Sequence, residues 1–201
     1  YHGVTGVQTC ALPICYMKTA VIALVAVVAA GSLFARDLNI NGEFKRLNTA
    51  GTAPLGWVKN YANQPNVGTF KVVPAREAGE NAIQVTTTTR ETPFYTAAAY
   101  PVKPGEIVKI EAKVKGKGTA GVAVYLYDAK GYIFSGNLAK VTATDVFTEV
   151  EGKHVVKNEY EITRNGVKVK AVPTGVRIVF FAGTNSDITF EDVEAEIDAA
   201  K

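Results

Sequence analysis

Side chains that could carry out catalysis are few in this chain of 201 residues. Both cysteines, Cys10 and Cys15, lie near the N-terminus. His154 is the only histidine beyond position 2, and a lone histidine needs a positioned partner to act as a base. Ser135 and Ser186 lie outside any G-x-S-x-G motif, and no H-E-x-x-H motif occurs. The sequence therefore predicts a non-catalytic protein without a cofactor.

Paired carboxylates leave one catalytic alternative open, because a glycoside hydrolase needs only two of them around the scissile bond. The chain has 19 Asp and Glu residues, and their spacing singles out no pair. A small glycan-active enzyme is therefore an alternative that the sequence does not favour.

Aromatic residues give a stronger functional signal. A ring on the outer face of a sheet can stack on the apolar face of a sugar, whose hydroxyls need polar partners. The aromatics in turn-flanked or alternating segments are Phe94, Tyr95, Tyr125, Tyr127, Tyr132 and Phe134. Tyr132 and Phe134 are two residues apart, so we expect them on one face of a strand. Packing in the core or across strands is the alternative role for all six.

Alternation of apolar and polar residues predicts the elements that carry these aromatics. The period is two in Glu106–Lys115 and in Gly121–Asp128, which is typical of half-buried strands. Lys115–Gly118 between them is predicted to be a turn. Asn165-Gly166 lies between two alternating runs and predicts a type I′ hairpin. Many short strands with regular turns predict an all-β fold, an antiparallel β-sandwich or jelly roll.

Residues 36–201 are predicted to form one domain, since this length suits a single core. Lys18 is the only one of the 22 Lys and Arg residues before Arg36, which leaves 21 of them against 19 Asp and Glu. Such a near balance argues against a nucleic acid partner, which needs a strongly basic face.

Residues 17–35 have the pattern of a secretory signal peptide. Met17-Lys18 is a short basic start, Thr19–Ala30 is almost wholly apolar, and small residues follow up to Ala35. The apolar run is shorter than the roughly 20 residues of a membrane-spanning helix. We therefore expect cleavage, and a secreted or periplasmic product without a membrane anchor.

Residues 1–16 precede the only methionine, Met17. Within them, the run VTGVQTCALPI at positions 4–14 resembles, letter for letter, the translation of a common sequencing-library adapter. We expect residues 1–16 to be an assembly artefact of this origin. Both cysteines then fall outside the domain, which predicts that it has no disulfide.

The order of short motifs in the domain resembles that of the family 4/9/22-like carbohydrate-binding modules. The motifs are LNINGEF (38–44), PLGW (54–57), AGENAIQV (78–85), TPFYTAAAYPVKPGEIVKIEAKVKG (92–116) and ITFEDVEAEI (188–197). This resemblance implies a galactose-binding-like jelly roll that is secreted and non-catalytic. It also implies a polysaccharide or glycan partner, bound by aromatic stacking in a cleft.

Site residues follow from the same resemblance. Phe94 matches an aromatic that follows a proline before the V-x-P-G strand, and the region from Tyr125 to Phe134 matches the strand pair that carries others. Trp57 of the G-W motif is expected to be structural. Gln84 and Arg90 are the polar residues that we expect to contact the sugar.

One departure concerns a structural calcium that the family often carries. Lys45 replaces an acidic ligand of the opening motif, and Glu191 corresponds to the acid of the last strand. An ammonium group cannot ligate calcium, which needs several oxygens. We therefore predict no metal and an ion pair between Lys45 and Glu191 in its place.

A structural or protein-binding β-sandwich without a sugar site is the alternative function. The direction of the aromatics distinguishes the two hypotheses. A cleft lined by two or three exposed aromatics favours glycan binding, and a flat face of Lys and Glu favours a scaffold.

Overall fold

The structure, a computed structural model, describes residues 35–199. The predicted artefact at 1–16 and all but the last residue of the predicted signal peptide lie outside the described residues. Within 35–199 all regular elements are strands, and no helix there could span a membrane. The strands are β1 (Arg36–Asp37), β2 (Trp57–Lys59), β3 (Thr69–Pro74), β4 (Asn81–Thr86), β5 (Thr92–Thr96), β6 (Tyr100–Pro101), β7 (Ile107–Asp128), β8 (Gly131–Ala143), β9 (Thr148–Val155), β10 (Tyr160–Arg164), β11 (Val167–Ala171), β12 (Gly175–Ala182) and β13 (Asp187–Asp198).

The strands form two antiparallel sheets that share β7. Sheet I has the order β3-β4-β13-β7-β9, with β1 added along β13. Sheet II has the order β2-β5-β12-β7-β8, with β6 added along β12. The inner faces of both sheets contribute to one apolar core. The predicted all-β sandwich of the jelly-roll type is confirmed.

The two alternating segments of the sequence form one strand of 22 residues, β7. Its first half pairs with β13 and β9 in sheet I, and its second half pairs with β12 and β8 in sheet II. The turn predicted at Lys115–Gly118 is wrong. Gly116 and Gly118 have φ of 137° and 109°, values that L side chains rarely adopt. They allow the strand to change sheets without leaving the ladder.

Aromatic rings fill the centre of the core. The rings of Phe94 and Phe180 are stacked with centroids 5.1 Å apart, and Trp57 and Phe190 lie 4.9 and 4.7 Å from Phe180. Phe94 is 1% exposed, so no ligand can reach its ring. Our assignment of Phe94 to the binding face is therefore corrected, because in β5 it is the neighbouring Tyr95 that faces outward. Trp57 is structural, as predicted.

The predicted hairpin at Asn165-Gly166 is confirmed. β10 and β11 pair in register up to Arg164 and Val167, and the two loop residues have φ of 51° and 80°. Positive φ at both positions defines a type I′ turn. Arg164 then binds Asp128 at the end of β7 through two hydrogen bonds of 2.7 and 2.8 Å. This hydrogen bonding lowers the pKa of Asp128.

The predicted ion pair between Lys45 and Glu191 is not formed. The ammonium of Lys45 lies 2.6 Å from Glu43 and 3.1 Å from Glu80. Glu191 instead receives the guanidinium of Arg76, and the backbone N–H of Arg76 donates to its other oxygen at 3.4 Å. A planar guanidinium offers several donors to one carboxylate, which lysine cannot match.

These contacts also test the calcium position that the sequence resemblance implied. Lys45 and Arg76 bring two positive charges to the acids at this point, and a cation there would compete with the guanidinium for Glu191. The residues present do not fit a calcium ion. Elsewhere in residues 35–199, no group of three or more His, Cys, Asp and Glu side chains could hold a metal.

Candidate functional site: a tyrosine groove on sheet II

Four tyrosines lie on the outer face of sheet II. The alternation that buries Val124 and Leu126 in the core turns Tyr125 and Tyr127 of β7 outward. Tyr95 of β5 and Tyr132 of β8 lie on the same face. These rings form a chain, with centroids 5.9 Å apart for Tyr95 and Tyr125, 6.1 Å for Tyr125 and Tyr132, and 5.8 Å for Tyr127 and Tyr132.

The four tyrosines line an open groove of about 220 Å³ together with Asn60, Tyr61 and Ser135. We call this feature the tyrosine groove. Asn60 donates a hydrogen bond from Nδ2 to the hydroxyl of Tyr125 at 3.4 Å. Tyr132 is 52% exposed, so much of its ring is open to a ligand. The groove thus combines aromatic planes with hydroxyl and amide groups.

A small apolar cluster on the same outer face packs beside two of the rings. Val179 and Phe181 of β12 and Ala123 of β7 are buried although they face away from the main core. Tyr95 and Tyr125 pack against this cluster. The tyrosine rings are therefore held by packing before any ligand arrives, which lowers the entropy cost of binding.

Burial favours the neutral form of two groove tyrosines, Tyr125 and Tyr127. It raises the pKa of Tyr125 to about 12, with a smaller opposing effect of the hydrogen bond from Asn60. Burial also raises the pKa of Tyr127, opposed by the positive charge of Arg177. Both phenols thus remain available as hydrogen-bond donors near neutral pH.

Phe134 does not share a face with Tyr132, and this prediction is wrong. The register between β7 and β8 shifts between Leu126 and Tyr127, where a β-bulge inserts one extra residue. Tyr132 pairs with Tyr127 on the outer face, and Phe134 pairs with Leu126 on the inner face. Phe134 is accordingly partly buried against the core.

The ring of Phe134 packs against the rings of His154 and Tyr160. The ring of Phe134 lies 5.4 Å from that of His154 and 4.9 Å from that of Tyr160. His154 Nε2 and the Tyr160 hydroxyl share a hydrogen bond of 2.8 Å. Burial, followed by the charge of Lys157, lowers the pKa of His154. The contacts of His154 are thus those of a packed, structural residue.

The two polar residues predicted for the site lie in different places. Gln84 is in β4 of sheet I, where it donates to Asp187 at 2.7 Å, so its assignment to the binding face is corrected. Arg90 is near the groove, with its guanidinium 4.3 Å from the ring centre of Tyr61 and a hydrogen bond to Gln64.

Sequence reasoning missed four residues of this face: Asn60, Tyr61, Ser135 and Arg177. Arg177 left a readable signal, because it is the only charged residue in the apolar strand GVRIVFFA. Its guanidinium lies 5.1 and 5.0 Å from the ring centres of Tyr95 and Tyr127. Ser135 could be assigned to the outer face of sheet II only once the bulge in β8 was known.

A second, larger groove of about 790 Å³ runs beside sheet I, next to the chain from Asp37 to Arg46. Its lining includes carboxylates and lysines but no aromatic ring. Burial, followed by the charges of Glu149 and Glu194, raises the pKa of Glu111 in its wall. Lys109 pairs with Glu196 at 2.6 Å. This groove offers no surface for stacking, so we take the tyrosine groove as the candidate site.

Comparisons with solved structures place the fold among those of carbohydrate-binding modules. The CBM22-1 xylan-binding domain of Xyn10C from Paenibacillus barcinonensis superposes with a TM-score of 0.53 at 13% identity, over 84% of this chain and 96% of that domain. The CBM22-1–GH10 part of xylanase 10B from Clostridium thermocellum, complexed with xylohexaose, gives 0.52 at 15% identity, over 81% of this chain and 28% of that one. The domain thus shares its jelly-roll fold with these modules.

A third similar structure has a different role. A cyclase from Fischerella sp. TAU superposes with a TM-score of 0.51 at 11% identity, over 84% of this chain and 99% of the cyclase. No protein-family model and no curated protein matches the sequence. The comparisons therefore establish the fold, and function has to be argued from the site.

Proposed function

We propose that the protein is an exported, non-catalytic carbohydrate-binding protein that holds a polysaccharide or glycan in the tyrosine groove. The observation that carries this proposal is the chain of four tyrosine rings on one outer face of the sandwich. Sugar rings would stack on these planes through their CH faces. Their hydroxyls would pair with Asn60, Ser135 and the phenol groups, which all line the same groove.

The groove places several aromatic rings close together. It is open to solvent, and neighbouring rings are about 6 Å apart. One ligand can therefore contact more than one ring. Because the rings are already packed against Ala123 and Val179, the ligand would meet a pre-formed surface.

A binding role without catalysis is supported by the chemistry of the lining. Among the described residues, the groove is lined by tyrosine, asparagine and serine side chains and by no carboxylate or histidine. Most glycoside hydrolases use two carboxyl groups at the scissile bond. Export is part of the same proposal and rests on the signal-peptide pattern of residues 17–35.

Affinity electrophoresis against a panel of soluble neutral and acidic polysaccharides tests the proposal. We expect at least one polysaccharide to retard the protein, and Tyr132→Ala to weaken this binding by about fivefold, since one stacked aromatic contributes about 1 kcal/mol. Phe147→Ala, which removes an aromatic outside the groove, is the matched control. If no glycan retards the protein, the alternative of a structural or protein-binding sandwich replaces this proposal.

A further inference from the structure

Arg177 is an unusual residue for the centre of a sheet. β12 lies between β5 and β7 in sheet II, and every other side chain of Gly175–Ala182 is apolar or absent. The outward direction of Arg177 follows from its pairing with Tyr125 in the ladder. A positive charge therefore lies in the middle of the face that carries the tyrosine groove.

This charge has no anionic partner among residues 35–199. Arg177 forms no ion pair there, and its Nε is buried without any hydrogen-bond acceptor. Contacts with the rings of Tyr95 and Tyr127 stabilise the cation but accept none of its N–H groups in a hydrogen bond. Buried polar groups normally have partners, so the missing acceptor calls for an explanation.

Other cations of the domain differ from Arg177 in this respect. Arg76 binds Glu191, Arg164 binds Asp128, and Lys113 binds Asp192. These three cations have carboxylate partners, whereas Arg177 at the candidate site has none among residues 35–199.

A second guanidinium lies at the edge of the groove. Arg90 contacts the ring of Tyr61 and is hydrogen-bonded to the neutral amide of Gln64. The acid next to it, Glu91, faces Lys140 at 3.7 Å. This face of sheet II therefore presents more positive than negative charge, whereas the second groove beside sheet I is rich in carboxylates.

We propose that the ligand of the tyrosine groove is an anionic glycan, whose carboxylate or sulfate group is bound by Arg177 between Tyr95 and Tyr127. The inference rests on the proposed function and adds the class of ligand to it. The guanidinium offers a planar set of donors that matches the oxygens of such groups. An anion at this point would offer acceptors to the terminal N–H groups of Arg177, since its Nε is buried out of reach of a ligand, and Arg90 would add attraction at the groove edge.

Matched pairs of probes test this inference. Polygalacturonate and alginate supply carboxylates, and their carboxyl-reduced forms are the neutral counterparts with the same backbones. Dextran sulfate and dextran form the corresponding pair for sulfate. We expect the protein to bind at least one acidic member at least tenfold more tightly than its neutral counterpart, as a charge-assisted hydrogen bond requires. The acidic member that binds identifies the anion.

Substitutions then locate the anion within the groove. Arg177→Gln is expected to remove this tenfold preference, and Arg177→Lys to restore part of it, since lysine keeps the charge but not the planar donors. Lys71→Gln removes one charge from the exposed edge strand β3 of sheet I and should leave the preference unchanged. Thermal unfolding of each variant establishes that the domain is folded, and the wild-type comparison of paired probes stands without any variant.

The outcomes separate this inference from the proposed function. Binding of neutral glycans with no preference for acidic ones overturns the inference and leaves glycan binding in place. A preference for acidic glycans that persists in folded Arg177→Gln also overturns it, because the charge then acts elsewhere. Absence of binding to every probe overturns both proposals.

Discussion

Tyr132 and Phe134 are separated by one residue in β8 and lie on opposite faces of sheet II. The β-bulge opposite Leu126 and Tyr127 causes this reversal, since residues two apart share a face only in a regular strand. The bulge therefore decides which aromatic of β8 is available to a ligand and which stabilises the core.

The first prediction separates these two roles. Phe134→Ala is expected to lower the free energy of unfolding by roughly 2–4 kcal/mol because it leaves a cavity against the core, and to leave glycan affinity within twofold. Tyr132→Ala should do the reverse, since its ring is half exposed. Denaturant unfolding and affinity electrophoresis of both variants measure the two effects. Equal loss of affinity in the two folded variants would contradict the register described for β8.

A second prediction concerns Glu191, whose side chain is 2% exposed and is paired with Arg76. Arg76→Met is expected to lower the free energy of unfolding by roughly 2–4 kcal/mol, because it leaves a buried carboxylate without a counter-ion. The half-exposed position of Arg76 keeps this cost below that of a fully buried pair. Lys45→Met should cost less than Arg76→Met, because Lys45 and Glu43 are half exposed, although the side chain of Glu80 is only 9% exposed.

A double substitution provides the control for this pair. Replacing both Arg76 and Glu191 by methionine removes the charge together with its partner, so much of the lost stability should return. If Lys45→Met proves more destabilising than Arg76→Met, the arrangement of acids described here is wrong.

The third prediction tests the glycines of β7. In Gly116→Ala, the new Cβ would collide with the backbone carbonyl of Asp187 in the paired strand. We expect a loss of more than about 4 kcal/mol in the free energy of unfolding. Gly131→Ala is the matched control, since Gly131 also has positive φ but its Cβ would meet open space. Its cost should be about 1–2 kcal/mol from backbone strain alone. Similar losses in the two variants would contradict the steric explanation.

The fourth prediction is a pH dependence from His154. Burial, and then the charge of Lys157, lowers its pKa in the folded state relative to about 6.5 in the unfolded chain. The unfolded state therefore binds the proton more readily, and stability falls as the pH decreases through 6.5 towards the folded-state pKa. We expect the urea midpoint to decrease from pH 7 to pH 5, and His154→Gln to reduce this slope. An unchanged slope in the variant would rule out His154 as the cause.

The strands could be predicted from the sequence because apolar and polar residues alternate with a period of two along a half-buried strand. The Asn165-Gly166 turn could also be predicted from local sequence, because a type I′ turn needs positive φ at both positions and Asn-Gly tolerates it. The continuity of β7 could not be predicted, because Gly116 and Gly118 in sequence resemble a turn. Their role depends on the close approach of Asp187 and Ser186 from β13 and the loop before it.

The site was only partly predictable from the sequence. Alternation shows that Phe94 and Tyr95 face opposite ways, but only pairing with Phe180 decides which of them is inside. The side of sheet II on which Phe134 lies depends on a β-bulge, and no residue type in β8 predicts this bulge. Arg177 stands out in the sequence as the only charged residue of an apolar strand, but its role is clear only when its neighbours Tyr95 and Tyr127 are known.

The sharing of β7 between the sheets has a consequence for how the domain loses its structure. Separating sheet I from sheet II would require breaking the ladder on both sides of Gly116 and Gly118. Because one continuous backbone is central to both sheets, opening either half disturbs a strand of the other. We therefore expect the domain to unfold in a single cooperative step, with its slowest-exchanging amides in β7.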